Sequence, residues 1–464
     1  MKPILTVEEM RAWEQATWDA GITEEVVIET VGQKLARIIN KITRSRDRIL
    51  LVAGKGNNGE DVRKTLPNLD RRKVQLLSIS DAPLALGELK TALETRPDWV
   101  VDGLFGIGLD RPLKGAWREM VEAINASPCR VISVDTPSGL SGSDGRALGV
   151  TIQSDITVTL GAVKAGLISG PDIDAVGQLL CESDIGLVPC PTKETPLQWV
   201  DASAFESYPP RRRPSSHKGT YGHVVILGGS LGFHGAAVLA AKAATKARPG
   251  LVSVSTSPQV WMPIATQLST QMVRLWEHPT PEKTSCIVAG PGMAGAEVDS
   301  SVKNGICGFW QKSQIAMVAD ASALDWLPPH EECPGIRVVT PHPGEAARML
   351  GISTAAVEAN RVDAVRRISR KLGNCIVVLK GRFTLVGTSE GPVTVNGSGN
   401  PSLAQGGSGD LLAGFLGGLL AQKELAKDPL KTVRYGVWRH GHVADRLEAR
   451  NSHWTLDNEF LSRL

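Results

Sequence analysis

The sequence lacks an excess of charge of either sign, paired cysteines and long apolar runs. Its formal net charge is +3 over 464 residues, an imbalance too small to favour nucleic acid or a membrane surface as the partner. The seven cysteines are scattered without a CxxC pair, which argues against a disulfide framework or a zinc site and suits a reducing compartment. The longest apolar stretch, LLAGFLGGLLA, is about half of the roughly 20 residues that a membrane span needs, and the N-terminus lacks a signal-peptide core. We therefore expect a soluble, cytoplasmic protein with a small-molecule partner.

The composition is that of a globular protein with more than one domain. Hydrophobic residues make up 42% and charged residues 21% of the chain, close to ordinary globular values. A length of 464 residues predicts two or three domains. The 48 glycines predict many tight loops where backbone approaches a ligand closely.

The first half of the chain predicts a doubly wound, Rossmann-like α/β domain over residues 1–195. Short apolar runs that end in Gly or Asp alternate with helical patterns, and such runs are typical of parallel strands covered on both faces. These runs are RILLVAG, VQLLSI, WVVDGLFG, RVISVD and ITVTLGA. The preceding segment predicts two helices broken near Gly21.

A second α/β series is predicted over residues 196–464. The boundary lies between about residues 190 and 200, where PTKETP and then YPPRRRPSSHKG interrupt the pattern, because such Pro-rich stretches do not form element interiors. Further strands follow in HVVILGGS, LVSVST, CIVAGPG, AMVADA, RVVTPHPG and CIVVLKG, and a long helix follows GSGD. The Arg211–Arg213 run favours a solvated linker surface over a phosphate or nucleic-acid site.

Polar residues close several strands of the first half. Ligands of open α/β sheets bind at the carboxyl ends of the strands. The segment Gly54–Asp61 (GKGNNGED) predicts a loop whose backbone N–H groups cradle a pyrophosphate. Asp102 and Asp135 each follow an apolar strand, which indicates a cation site or an acid/base pair. The alternative is that each Asp only caps the next helix.

The most specific pattern of the second half is NGSGNPSLAQGGSGDLLAGFLGGLLA. Glycines, among them Gly406, Gly407 and Gly409, precede Asp410 in the first turn of a predicted helix. Their N–H groups would form an anion hole for a phosphoryl group, and Asp410 would accept a hydroxyl proton. A plain helix cap is the alternative for Asp410.

Other strand ends supply supporting residues. His342 and Glu345 in TPHPGE, Lys380 in VVLKG and Gly292 in AGPG follow predicted strands. A generic loop histidine is the alternative for His342. His440 and His442 lie in a helical pattern and are interpreted as structural or surface residues.

Together these motifs resemble the bifunctional NAD(P)H-hydrate repair enzymes, whose dehydratase half is ribokinase-like. The resemblance rests on SHKGTYGHVVILGGSLGFHGAA, VAGPGM, VVTPHPGEAARMLG, VVLKG and GNPSLAQGGSGDLLAG in that order. It implies that ADP or ATP, with Mg²⁺, phosphorylates the hydroxyl of hydrated NADH or NADPH (NADHX or NADPHX), after which phosphate leaves and the ring double bond returns. It implies Asp410 as the acid/base residue in contact with the hydrate, and the following further contacts: Ala236, Gly292 and His342 to the hydrate; Lys380, Gly381, Arg382, Phe383, Thr384 and Gly409 to the nucleotide.

The first half resembles the epimerase of that family, which interconverts the two C6 epimers of the hydrate. The resemblance implies Asp135 as a substrate-contacting acid/base residue, and Asn58, Asp102 and Ser138 as K⁺ ligands. It implies two substrate segments: Asn57, Asn58, Gly59, Glu60 and Asp61; Gly106, Ile107, Gly108, Leu109, Asp110, Arg111 and Pro112.

One segment departs from the family pattern. The family loop is roughly GNNGGDG, whereas this chain has GNNGED with Glu60 in place of Gly, an apparent loss of two or three residues after Asp61, and Pro67 in the next helix. We expect Pro67 to weaken that helix and Glu60 to repel a pyrophosphate. We therefore predict a weakened epimerase in which the acid and amide ligands are retained.

Two other classes of function stay open at this point. A small-alcohol kinase of ribokinase-like fold would share GGSGD, and a dinucleotide-binding sensor would bind without turnover. The preference for ADP or ATP and for NADH or NADPH hydrate is left open by the sequence, and a homo-oligomer is expected.

Overall fold

A computed structural model describes residues 1–276, 283–296, 298–450 and 453–464. The chain falls into two compact units, Lys2–Thr195 and Pro196–Leu464. No helix in the described ranges is long and apolar enough to cross a bilayer. All seven cysteines are free thiols.

The N-terminal unit is built on a parallel sheet of order β3-β2-β4-β5-β6-β8, and β1 pairs with β7 beside it. Its strands are β1 (Lys2–Leu5), β2 (Arg48–Ala53), β3 (Lys73–Ser78), β4 (Trp99–Gly103), β5 (Arg130–Val134), β6 (Ile156–Leu160), β7 (Val163–Lys164) and β8 (Gln178–Glu182). Its helices are α1 (Val7–Asp19), α2 (Glu24–Ile42), α3 (Asn57–Thr65), α4 (Ala82–Glu94) and α5 (Ala116–Ala126). The five predicted strands are confirmed as β2 to β6.

Both faces of this sheet are buried, which explains the continuous apolar runs. Leu51 and Val101 pack with α2 in one cluster, and Leu50 and Val100 pack with α4 and α5 in another. Two such layers are the arrangement expected for parallel strands. The predicted break between α1 and α2 is confirmed at Gly21, whose φ is +86°.

The prediction of a loop over Gly54–Asp61 is wrong for most of its length. The loop is short, and α3 begins at Asn57. Gly59 lies so close to the loop that a Cβ on it would be 2.0 Å from the carbonyl oxygen of Gly54. Pro67 lies beyond the end of α3 in a 3₁₀ turn, Leu66–Asn68, so it does not interrupt the helix as predicted.

The C-terminal unit has a larger mixed sheet of order β12-β11-β10-β13-β14-β15-β16-β17-β18-β9. The pairs from β12 to β16 are parallel, whereas β17 is antiparallel to β16 and to β18. Its strands are β9 (Leu197–Val200), β10 (His223–Leu227), β11 (Leu251–Thr256), β12 (Met272–Leu275), β13 (Cys286–Ala289), β14 (Ala316–Ala319), β15 (Arg337–Val339), β16 (Ile376–Leu379), β17 (Leu385–Gly387) and β18 (Val393–Asn396). Its helices are α6 (His234–Lys246), α7 (Pro258–Ala265), α8 (Ser300–Lys312), α9 (Pro343–Leu350), α10 (Thr354–Ala359), α11 (Arg361–Lys371), α12 (Ser408–Leu420), α13 (Pro429–Glu448) and α14 (Leu461–Arg463).

The packing of α12 fixes the position of its first turn. A Cβ on Gly414 would lie 2.0 Å from the carbonyl oxygen of Ala240, and one on Gly418 would lie 2.4 Å from that of Ala244. The backbones of α6 and α12 therefore touch, which only glycine permits. The predicted long helix after GSGD is confirmed.

The Arg211–Arg213 run is exposed, as the linker interpretation predicts. Arg212 is nevertheless engaged locally, because its guanidinium stacks on the ring of Tyr221 at 3.7 Å and donates to Gln422 Oε1 at 3.2 Å.

Candidate active sites

The N-terminal unit brings Asn58, Asp102, Asp135 and Ser138 to one edge of its sheet. Asn58 lies in α3 after β2, Asp102 lies in β4, and Asp135 directly follows β5. All four residues are buried. The next helix after Asp102 is α5, which begins at Ala116 with Gly115 as its N-cap, so the interpretation of Asp102 as a helix cap is wrong.

Asp102 is the anchor of this edge. Its carboxylate accepts hydrogen bonds from Ser138 Oγ at 2.6 Å, Ser138 N at 2.9 Å, Ser133 Oγ at 2.8 Å and Leu104 N at 3.2 Å. Complete burial raises the pKa of Asp102 above its ordinary value, although these hydrogen bonds oppose the shift. The carboxylate therefore holds the Ser138 segment in place.

Asn58 leaves an oxygen unsatisfied beside this anchor. Its Nδ2 donates to the carbonyl oxygen of Phe105 at 2.9 Å, while its Oδ1 is buried without a hydrogen-bond partner. The main chain of Phe105 is tied to Ser138, since Phe105 N donates to Ser138 Oγ at 2.9 Å. Buried polar atoms normally have a partner, and a cluster of amide, hydroxyl and carboxylate oxygens suits a hard cation.

Asp135 occupies a left-handed backbone conformation with φ at +65°. Its Oδ1 forms an ion pair with Lys164 Nζ, and its Oδ2 accepts from Ile107 N at 3.4 Å. A Cβ on Gly106 would lie 3.2 Å from the same Oδ2. Strained backbone that persists at a buried acid is typical of functional sites.

The substrate segment Gly106–Pro112 therefore divides into two parts. Gly106 and Ile107 lie against Asp135, and the side chain of Leu109 is partly buried. The remaining members are exposed, namely Gly108, Asp110, Arg111 and Pro112. At the other segment Asn57 is exposed and donates through Nδ2 to Glu24.

One acid, Glu14, and one lysine, Lys164, were missed by the sequence reasoning as members of this site. Lys164 is 1% exposed in β7, and a lysine within the apolar run GAVKAGL was the available signal. Glu14 is partly buried, and burial followed by the charge of Asp135 raises its pKa. Asp61, predicted only as a substrate contact, is buried.

Glu60 has a partner of opposite charge. Arg63 Nη1 lies 2.8 Å from Glu60 Oε1, and Arg63 Nη2 donates to the carbonyl oxygen of Gly54 at 2.7 Å. Arg63 thus links Glu60 to the loop before α3 and offsets part of its negative charge.

In the C-terminal unit, Asp410 is the third residue of α12. The N-cap of α12 is Gly407, with φ at +98°, so the interpretation of Asp410 as the cap is wrong. Burial, reinforced by the charges of Asp320 and Glu345 and opposed by Lys380, raises the pKa of Asp410 to about 7. A carboxyl with that pKa is suited to accept a proton near neutral pH.

Lys380 lies beside the first turn of α12. Its Nζ is 2.8 Å from Asp320 Oδ1 and 3.8 Å from Glu345 Oε2, and a Cβ on Gly409 would lie 3.3 Å from Nζ. Burial disfavours the ammonium, but the combined charges of Asp320, Glu345 and Asp410 keep the pKa of Lys380 above its ordinary value. A cation is therefore fixed where the anion hole was predicted.

Asp320 was missed, although it carries the signal used for Asp102 and Asp135. It directly follows β14 in AMVAD and is 2% exposed. Thr340 Oγ1 donates at 2.7 Å to the same Oδ1 that pairs with Lys380 Nζ. The Thr340 hydroxyl therefore helps to hold this oxygen beside the ammonium.

His342 is the N-cap of α9. Its Nδ1 accepts from Gly344 N at 3.0 Å and Glu345 N at 3.3 Å. Its Nε2 lies 3.6 Å from Glu345 Oε1, and 53% of the side chain is exposed. The interpretation as a generic loop histidine is wrong, because the cap fixes the ring while leaving one edge open.

Ala236 and Gly292 are neighbours, as expected of two hydrate contacts. A Cβ on Gly292 would lie 3.1 Å from that of Ala236 and 2.2 Å from the carbonyl oxygen of Phe233. Gly292 also has a positive φ of +67°, so a larger residue there would disturb the start of α6.

The predicted nucleotide segment, Lys380–Thr384, is the turn between β16 and β17. Arg361 was missed and holds this turn: its guanidinium donates to the carbonyl oxygens of Arg382 at 2.5 Å and Lys380 at 3.2 Å. Thr384 Oγ1 donates to Gly381 O at 2.9 Å.

His440 contacts the first residue of α12. It is 7% exposed, its Nε2 lies 3.1 Å from Ser408 O, and burial lowers its pKa to about 4. His442 stacks on Trp438 with ring centroids 4.8 Å apart. These contacts suit the structural roles predicted for both histidines.

Comparisons with known proteins cover both units. The family model for NAD(P)H-hydrate dehydratase matches residues 224–463, and that for the YjeF-related protein N-terminus matches residues 69–166. The bifunctional NAD(P)H-hydrate repair enzyme Nnr of Escherichia coli (strain K12) is 32% identical over 470 residues, which cover 96% of this chain and 89% of the relative. This chain belongs to the bifunctional NAD(P)H-hydrate repair enzyme family.

Further relatives agree. The repair enzyme Nnr of Thermosynechococcus vestitus is 32% identical over 98% of this chain and 95% of its own. A ribokinase-like superfamily protein from Enterococcus faecalis V583 has a TM-score of 0.50 and 24% identity over 58% of this chain and 95% of its own, which shows a shared fold. The ADP/ATP-dependent NAD(P)H-hydrate dehydratase from Bacillus subtilis, co-crystallised with ATP and Mg²⁺, is 30% identical over 55% of this chain and 91% of its own, with a TM-score of 0.49.

The predicted family, fold class and enzyme class are confirmed. As a member of the repair enzyme family, the chain has a dehydratase half and an epimerase half and acts on NAD(P)H-hydrate. The match in the first half begins at residue 69, so the departing segment around Glu60 lies before it.

Proposed function

We propose that the C-terminal half uses ADP or ATP to dehydrate the (S)-hydrate of NADH or NADPH. The observation that carries the proposal is the meeting of a base and a cation at one helix start: Asp410 has a pKa of about 7, and Lys380 Nζ lies beside Gly409. Asp410 takes the proton of the hydrate hydroxyl, whose oxygen then bonds to the terminal phosphorus of the nucleotide. The nucleotide loses that phosphoryl group, and phosphate later leaves C6 as the ring-nitrogen lone pair forms a C6=N bond. Loss of the C5 proton to solvent then forms the C5=C6 double bond and returns the electron pair to nitrogen.

The surrounding residues position the two reactants. Lys380 and the N–H groups of Gly406–Gly409 stabilise charge on the transferring phosphoryl group, and the turn held by Arg361 receives the nucleotide. Ala236, Gly292 and the open edge of His342 contact the hydrate.

Magnesium fits this half. The carboxylates of Asp320 and Glu345 meet beside Lys380, and carboxylate oxygens are ligands that Mg²⁺ accepts together with substrate phosphates. When bound, the ion would neutralise phosphate charge.

The N-terminal half is proposed to interconvert the hydrate epimers with K⁺ bound. The unpartnered Oδ1 of Asn58, Ser138 Oγ and the Asp102 carboxylate would hold the ion, which would fix the loop that carries Phe105. Asp135 contacts the substrate together with the Asn57–Asp61 and Gly106–Pro112 segments. Replacing K⁺ in the buffer by tetramethylammonium should slow epimerisation, and an unchanged rate would contradict the cation site.

One experiment tests the assignment of both halves. Pure protein is incubated with both hydrate epimers and ADP or ATP, and the absorbance of restored NADH or NADPH is followed. Complete recovery supports both activities, and recovery of the S epimer alone supports the dehydratase without fast epimerisation. Nucleotide consumption with phosphorylation of an unrelated alcohol, but no recovery, would favour the kinase; binding without turnover would favour the sensor.

The compartment and assembly remain predictions. The seven free thiols suit a cytoplasmic protein, which fractionation of source cells would test. The expected homo-oligomer is tested by light scattering at several protein concentrations.

A further inference from the structure

Asp61 is a buried carboxyl group without a partner. It is 7% exposed and lies in α3, and its carboxyl group has no hydrogen bond or ion pair within the described residues. Its oxygens are not among the completely buried atoms that lack a partner, so the carboxyl group keeps a small exposed area. Because buried polar groups normally have partners, a nearly buried acid without a protein partner is a candidate to contact a ligand.

The surroundings of Asp61 favour its protonated form. Burial, followed by the charges of Asp135, Glu14, Glu24 and Glu60, raises the pKa of Asp61 well above its ordinary value. The cation of this site, Lys164, is committed elsewhere: its Nζ pairs with Asp135 and donates to Leu160 O at 2.7 Å and Thr159 Oγ1 at 3.1 Å. Three donor positions are thereby filled, and the ammonium stays on Asp135.

This ion pair fixes one oxygen of Asp135, and the second oxygen faces Gly106 and Ile107. Two acids in one site that are held in different environments, one paired with a lysine and one without a partner, are the arrangement that supplies one general acid and one general base. We propose that Asp61 is the general acid and Asp135 the general base of epimerisation, and that Lys164 is the positioning residue that fixes Asp135. This inference rests on the epimerase activity proposed above.

The proposed chemistry is an exchange of hydroxyl at C6. Asp61 gives its proton to the C6 hydroxyl, the C6–O bond breaks, and the ring-nitrogen lone pair forms a C=N bond, so water leaves. A second water adds to C6 from the opposite face as the C=N electrons return to nitrogen, and Asp135 accepts its proton. Solvent then carries one proton from Asp135 back to Asp61, and neither an oxidant nor a reductant is consumed.

The test uses the full chain without nucleotide, so that the dehydratase does not act. A single purified hydrate epimer is incubated in ¹⁸O-labelled water, and its conversion and label content are measured by chromatography and mass spectrometry. Every converted molecule of the wild type should carry solvent oxygen. Conversion without label would overturn the exchange mechanism.

Asp61→Asn should lower the epimerisation rate by about 10²–10⁴-fold, the usual worth of a positioned acid or base. Its melting temperature should not fall, because the lost carboxyl has no partner. The wild-type rate should decrease as pH rises through the pKa of Asp61. The residual rate of the variant should not depend on pH in this way. A variant that keeps most of its rate would overturn the acid assignment, and a large fall in melting temperature would indicate a structural role. The exposed Asp70 supplies the control, Asp70→Asn, which should leave the rate unchanged.

The role of Lys164 is tested by a matched pair of variants. Lys164→Met removes the ammonium and should lower kcat more than it raises KM, whereas Lys164→Arg keeps the charge and should restore part of the rate. Equal loss in both would overturn the positioning role. If the wild type itself does not interconvert the epimers, the proposed epimerase fails and this inference with it. An active wild type with a fully active Asp61→Asn refutes the inference alone.

Discussion

At the scale of single residues, each half of the enzyme combines one acid with one fixed lysine. Lys380 pairs with Asp320 beside Asp410, and Lys164 pairs with Asp135. Pairing fixes a long flexible side chain in one position, so its charge acts at a defined place. The chemistry of both sites therefore depends on a neighbour that does not itself contact the reacting atoms, Asp320 in one half and Lys164 in the other.

The base role of Asp410 makes a direct prediction. Asp410→Asn keeps the shape of the side chain but removes the base, so dehydration should fall by about 10²–10⁴-fold while nucleotide affinity survives. Turnover and affinity are measured on the same protein by absorbance and calorimetry. A variant with nearly full turnover would reject the catalytic assignment.

The raised pKa of Asp410 also predicts a pH dependence. The carboxylate is the active form, and the pKa is about 7, so dehydration at saturating nucleotide should increase as pH rises through that region. The residual dehydration rate of Asp410→Asn should not show this increase with pH. A wild-type profile that is flat from pH about 6 to 8 would contradict the role, since a general base acts only when deprotonated.

Glu60 remains the residue at which the epimerase half is expected to be weakened. Glu60→Gly would remove the charge and release Arg63, whose guanidinium could then face a pyrophosphate, so we predict faster epimerisation. The exposed Glu88 of α4 gives a control, Glu88→Gly, which carries a similar helix penalty of about 1 kcal/mol away from the site. A wild type that is already fast and unaffected by the substitution would refute the prediction.

At the scale of elements, the contact between α6 and α12 positions the Asp410 turn. Gly414→Ala would place a Cβ against Ala240 O at 2.0 Å, so we expect a loss of about 1–3 kcal/mol in the free energy of unfolding, as overpacking usually costs. Denaturant unfolding measures it. The matched control is Gly308→Ala in α8, where nothing lies within 4 Å of the new Cβ and a gain of up to about 1 kcal/mol is expected.

The start of α3 shows how an element reshapes a predicted loop. Because Asn57–Asp61 form the first turns of a helix, Asn58 and Asp61 are separated by nearly one turn, and both are buried. An extended loop would not hold them at that spacing. The helix thus presents a cation ligand and a proposed acid together.

At the scale of the whole molecule, each of the two units carries its own site. We therefore predict that a substitution in one site abolishes one activity and leaves the other. With both hydrate epimers and ADP present, Asp135→Asn should restore NADH or NADPH from the S epimer alone. Asp410→Asn should restore it from neither epimer but should still interconvert the two. Absorbance of the restored cofactor and chromatography of the remaining hydrate distinguish the two. Loss of both activities in either variant would contradict independent chemistry.

The sequence by itself determined the two α/β series, most strand-end residues and eleven strands, namely β2 to β6, β10, β11 and β13 to β16. Parallel strands covered on both faces need continuous apolar runs, so β2 to β6 could be predicted. Asp102 and Asp135 were identified at the ends of such runs, and Asp410 at the end of the glycine-rich segment. Family motifs then gave these residues their expected roles.

Only the tertiary structure decided which side chains meet. Lys164, Asp320 and Arg361 act through contacts with residues 29, 60 and 19 to 21 positions away, and no local pattern encodes such pairs. The short strands β17 and β18 and the beginning of α3 were likewise set by packing, because a few residues of weak preference adopt whatever their neighbours stabilise. The protonation states of Asp61 and Asp410 follow from burial and nearby charge, which exist only once the chain has folded.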